Sequence, residues 1–144
     1  MVDLVPHAGA MCLLDEVVAW EPERILCRSV LNTLEAHPLA DRGVLPLTAL
    51  VEYAAQATAA HGTLLARDSA GGAGSPTPGR LVGLRDIEFP ADESTLAAPT
   101  TLDVHVERLM ADAGGSIYAF RVVETGRDLV RGRVMIRTVT DEIV

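Results

Sequence analysis

The sequence contains no lysine. All 12 of its cationic side chains are arginine, set against 20 acids for a formal net charge of −8. That balance argues against nucleic acid, whose phosphates demand a basic surface. The acidity does nothing by itself to attract an acidic carrier protein. Cysteine is almost absent: Cys12 and Cys27 are isolated, without CxxC spacing or histidine neighbours, and read as reduced, buried thiols. The four histidines form no HxxxH or HxH pair, so neither a metal nor another cofactor is expected. Gly71, Gly72 and Gly74 follow a helix rather than a strand, which leaves no phosphate-binding loop, and no GxSxG elbow occurs. The opening MVDLVPHAG lacks the basic and apolar regions of a secretion signal. The longest helical stretch carries Glu52, Gln56 and His61, which is incompatible with a membrane span. A cytoplasmic protein is expected.

What is present suits a single domain over residues 1–144, with 49% apolar residues to build a core. Strand-like runs at Asp15–Trp20 and Arg24–Leu31 flank a turn at Pro22. Pro46 fits the first turn of a helix, and helical spacing of apolar residues then continues to about Arg67. Ser69 to Gly79 is a Gly/Ser/Pro loop, expected to be flexible. Four strand patterns follow, at Arg80–Phe89, Thr100–Met110, Ile117–Glu124 and Asp128–Val139, the last three joined by short turns as in an antiparallel meander. The fold class is α+β: a long central helix wrapped by a curved antiparallel sheet of about six strands, the hotdog arrangement. Ala49, Ala54, Ala55, Ala57, Ala59 and Ala60 would let the helix approach the sheet closely. An uncovered edge strand would favour a dimer with a continuous sheet.

The residues with chemical potential are few. At about 100° per residue, Glu52 and Gln56 share one helical stripe among small and apolar neighbours. Glu52 is either a general acid/base, if it lies near a cleft, or an ordinary exposed helix glutamate. His61 falls roughly opposite it and reads as a buried structural histidine, whereas His105 lies on a polar strand face. His37 sits in the loop before the helix, and His7 in a Pro-His-Ala-Gly turn that suits packing or hydrogen bonding. The helix start at Pro46 would expose N–H donors able to polarise a carbonyl.

Two stretches carry a family likeness. The run Leu45-Pro46-Leu47, then Glu52, then Gln56, resembles the helix start of the bacterial 3-hydroxyacyl-ACP dehydratases. Pro6-His7-Ala8-Gly9 followed by Met11-Cys12-Leu13-Leu14-Asp15 is similar to that family's opening segment. Together with Tyr53-Ala54-Ala55 and His61-Gly62, these runs most resemble a divergent hotdog subgroup from aryl-polyene-type gene clusters. The resemblance implies His37 as the base for the α-proton and Glu52 as the acid for the β-hydroxyl, the pair coming from opposite subunits. It implies Gln56, Leu47, Pro46 and His7 as binding or orienting groups, with the Leu47 N–H directed at the thioester carbonyl. The substrate would be carried by acyl carrier protein or coenzyme A, without cofactor, in a homodimer or a heterodimer with another hotdog protein. The family's glycine and phenylalanine around the loop histidine are replaced here by Ala36 and Pro38, and its glycine after the proline by Leu47. The altered histidine setting keeps a second reading open, a non-catalytic or half-active partner of another hotdog dehydratase. A third is a hotdog acyl thioesterase, in which the helix carboxylate would activate water.

Overall fold

The computed structural model describes residues 12–69 and 79–138. Six strands form one antiparallel sheet: β1 (Glu16–Glu21), β2 (Arg24–Leu31), β4 (Gly79–Glu88), β6 (Thr100–Asp112), β7 (Gly115–Glu124) and β8 (Arg127–Thr138). Their order across the sheet is β1-β2-β6-β7-β8-β4, which leaves β1 and β4 at its edges. A second, two-stranded ladder joins β3 (Leu45–Pro46) to β5 (Thr95–Leu96). The helix α1 spans Leu50–Ser69, entered through a 3-10 turn at Leu47–Ala49. The structure therefore bears out the hotdog arrangement of one long helix against a six-stranded antiparallel sheet. The Ser69–Gly79 loop lies almost wholly outside the described residues, as does His7. No described helix is long and apolar enough to cross a membrane.

Period-two alternation builds the sheet's two faces. Ile25, Cys27, Ser29 and Leu31 of β2 are buried beside Leu102, Val104 and Val106 of β6. Tyr118, Phe120 and Val122 of β7, with Val130 and Val134 of β8, extend this face under α1. The opposite face carries the arginines and their partners, such as Arg28 with Asp103 at 2.8 Å and Arg121 with Asp128 at 3.1 Å. The helix contributes Leu50, Tyr53, Ala54, Ala57, Ala60 and His61 to the core, an i, i+3, i+4, i+7 stripe in which alanines keep the axis close to the strands.

The helix begins later than its sequence pattern suggests. Pro46 is extended, at φ −62° and ψ 139°, because it belongs to β3 and not to a first helical turn. Local spacing could not reveal this, since the partner strand β5 lies some fifty residues further along the chain.

The turns follow their residue chemistry. In the β7–β8 hairpin Thr125 and Gly126 both take positive φ, 49° and 77°, the conformation a right-twisted two-residue hairpin requires. In the β6–β7 hairpin the Asp112 carboxylate accepts the N–H groups of Gly114 and Gly115 at 2.7 and 3.1 Å.

Candidate active site

Glu52 lies in the first turn of α1, half-buried, where a carboxylate also complements the positive end of the helix dipole. One turn on, Gln56 is 1% exposed and spans two partners. Its Oε1 accepts the backbone N–H of Leu13 at 2.9 Å, and its Nε2 donates to Glu52 Oε1 at 3.3 Å. The Leu13 N–H can only donate, so it settles which end of the amide faces the acid. The structure thus brings Glu52 and Gln56 together as the helical stripe implies.

His37 lies in the 32–44 loop, whose turns are closed by His37 N–H to the Leu34 carbonyl and Ala40 N–H to the His37 carbonyl, both 3.2 Å. Its Nδ1 accepts the N–H of Leu39 at 3.1 Å, and its Nε2 lies 2.8 Å from Tyr53 Oη. The two rings stack with centroids 6.1 Å apart. Burial holds His37 below the usual imidazole value. Tyr53, fully buried, is pushed up to about 12 by the same cause. The Ser29 hydroxyl donates to the Leu13 carbonyl at 2.8 Å. Leu13 thus joins Ser29 to Gln56, which reaches Glu52.

Tyr53, Ser29 and Leu13 tie the loop, β2 and the chain before β1 together around the helix, and sequence reasoning missed them. The available signal was a tyrosine on the apolar stripe of α1, whose buried hydroxyl must find a partner.

The expected thioester-carbonyl donor is otherwise engaged. The Leu47 N–H donates to the Ser94 carbonyl at 3.0 Å, because β3 and β5 zip together just before the helix. The Pro46 end of the helix is part of the same ladder.

His61 does serve structure, as its helical position implies. Its Nε2 donates to the Glu21 carbonyl at 2.8 Å, so Nδ1 takes the hydroxyl proton of Tyr118 at 2.9 Å, with Trp20 packed edge-on. His105 is half-buried on the sheet's outer face rather than freely exposed, since Arg121 lies opposite it and Leu26 on the neighbouring strand. Cys27 is buried, with its thiol pushed up to about 12 by desolvation, and is unreactive, while Cys12 is half-buried; both are free thiols. Among the described residues no group of three or more His, Cys, Asp or Glu could hold a metal ion. Hollows of about 500 and 520 Å³ lie along β1, β2, β6 and β7, and along β4 and β8; neither is lined by Glu52 or His37.

With this geometry in view, the sequence matches the ApeP-like family, described as ApeP dehydratase, over residues 1–142. The chain belongs to the ApeP-like dehydratase family. No curated protein matches it by sequence. Among solved structures it is similar to the dehydratase heterocomplex ApeI:P from Xenorhabdus doucetiae, at 22% identity and TM-score 0.82, covering 97% of this chain and 91% of that one. It is also similar to a hypothetical thioesterase with coenzyme A from Streptococcus pneumoniae TIGR4, at 9% identity and TM-score 0.65 over 89% and 88% of the two chains. A zebra fish thioesterase superfamily member gives 14% identity and TM-score 0.61 over 86% and 80%. At these identities the three likenesses establish the fold, and the family match distinguishes dehydratase from thioesterase.

Proposed function

We propose that this member of the ApeP-like dehydratase family acts as one subunit of a dehydratase for 3-hydroxyacyl thioesters, paired with a second hotdog chain. The observation that carries the reading is Glu52, a helix acid held by a buried amide whose orientation is dictated by Leu13. Dehydration needs two proton transfers. A histidine, the residue type the family resemblance assigns, takes a proton from the α-carbon. The electron pair released forms the α,β double bond, and the β C–O bond breaks as the acid protonates the departing hydroxyl. The products are the enoyl thioester and water. Glu52 serves as that acid, and Gln56 holds its carboxyl in place. The substrate's carrier is acyl carrier protein or coenzyme A.

A hotdog partner is supported by two observations. The solved ApeI:P assembly is a heterocomplex of dehydratase subunits. In this chain the edge strand β4 leaves Leu81, Val82 and Leu84 exposed by 44%, 50% and 42%, with its outer backbone edge unpaired among the described residues.

Glu52→Gln keeps the size and hydrogen-bonding capacity of the side chain and removes the transferable proton. Turnover of 3-hydroxybutyryl-CoA to the enoyl thioester should fall on the order of 10²–10⁴-fold in the assembled enzyme. Unchanged turnover would sink the assignment. Release of free thiol instead of enoyl product would point to the thioesterase reading.

A further inference from the structure

The hydrogen bonds at His37 have a direction, set by a backbone group that cannot exchange roles. The Leu39 N–H can only donate, and it donates to His37 Nδ1. The neutral ring therefore carries its proton on Nε2, facing Tyr53 Oη. Burial keeps the Tyr53 phenol protonated as well. The Leu39 proton thus points at His37 and the His37 proton at Tyr53. A general base must offer a lone pair and become imidazolium. His37 offers none, since Nδ1 is covered and Nε2 is protonated. A proton added at Nδ1 would face the Leu39 N–H head-on.

We infer that the Leu39 N–H holds His37 as a donor toward Tyr53. The histidine of this chain then ties the 32–44 loop to α1 and is not the base of the dehydration. The chain supplies the acid half of the site, Glu52, and the base comes from the hotdog subunit with which it pairs. This rests on the dehydratase reading and deepens it, because a pair built this way has one working site, the one that contains Glu52.

The test combines a spectroscopic and a kinetic measurement on the full-length chain in the assembly in which it purifies. Nitrogen NMR of ¹⁵N-histidine-labelled protein, with the His37 signal assigned by its loss in His37→Asn, should show the neutral Nε2–H tautomer. Tyr53→Phe, which keeps the ring packing, should leave that tautomer in place, because the Leu39 N–H still covers Nδ1. With 3-hydroxybutyryl-CoA, His37→Asn and Tyr53→Phe should each turn over within about threefold of the unaltered enzyme, while Glu52→Gln loses on the order of 10²–10⁴-fold. An Nδ1–H tautomer at His37 overturns the inference. So does a loss in His37→Asn as deep as that in Glu52→Gln with thermal melting unchanged. Should His37→Asn fail to fold, the same depth of loss in Tyr53→Phe overturns it. Full turnover in Glu52→Gln would instead remove the dehydratase reading, which distinguishes the two failures.

Discussion

Gln56 is where chemistry and stability meet in one side chain. Its buried amide satisfies the Leu13 N–H on one side and holds Glu52 on the other. Gln56→Leu keeps the volume and removes both bonds, leaving the Leu13 N–H unpaired in the interior. The expected loss is about 1–3 kcal/mol, read as a lower urea midpoint with an unchanged slope. Turnover should fall as well, because Glu52 loses the group that orients it. Gln56→Glu is a sharper variant, since it sets a second carboxyl beside Glu52 in a buried place. His61 shows the contrast within the same helix: equally buried and equally well bonded, it joins β1 to β7 and stands apart from the acid.

At the scale of elements, the β6–β7–β8 meander depends on close backbone approach at its turns. Gly115 sits where a Cβ would overlap the Ile136 carbonyl of the neighbouring strand. Gly126, at φ 77°, has no atom within 4 Å of where a Cβ would lie. Gly115, at φ 158°, therefore combines an unfavourable backbone conformation with crowding, whereas Gly126 has the conformation alone. Gly126→Ala should cost about 1 kcal/mol, the strain of positive φ alone. Gly115→Ala should cost about 2–4 kcal/mol, because the strand pairing itself must shift. Denaturant melts of the two variants give the order directly, and a reversed order would contradict the packing described at Ile136.

At the scale of the molecule, two properties emerge that no single element carries. One is the pH window of stability. His37, His61 and His105 all lie below the usual 6.5, burial being the main cause for each. As pH falls through that value the unfolded chain takes protons the folded one resists, so stability decreases on the acid side. Cys27 and Tyr53 are raised from 9.0 and 10.0 to about 12. Their contribution is complete below the unfolded values and is lost as pH rises through the folded ones. Urea midpoints should therefore be flat between roughly pH 7 and pH 9 and decline on both sides. The other property is assembly. Leu84 pairs with Val134 on the helix side of the sheet, yet is 42% exposed at the β4 edge. Leu84→Asp should leave the monomer folded and weaken pairing at least about tenfold, read by light scattering across a dilution series.

The sequence by itself determined the elements and the stripe that carries Glu52 and Gln56. Alternation in β2, β6, β7 and β8 and the apolar spacing of α1 are local periodicities, and so is the one-turn step that sets Gln56 beside Glu52 and turns His61 away. The tertiary structure decided how hydrogen-bonding groups are spent. Pro46 and the Leu47 N–H belong to a ladder with Thr95 and Ser94, so the α-helix starts at Leu50 rather than Pro46 and that donor is occupied. His37, legible as a loop histidine, acquires its tautomer only where Leu39 and Tyr53 close on its ring. The direction of a hydrogen bond depends on which donors and acceptors meet, and distant segments such as Leu13, Ser29 and Gln56 meet only in the folded chain.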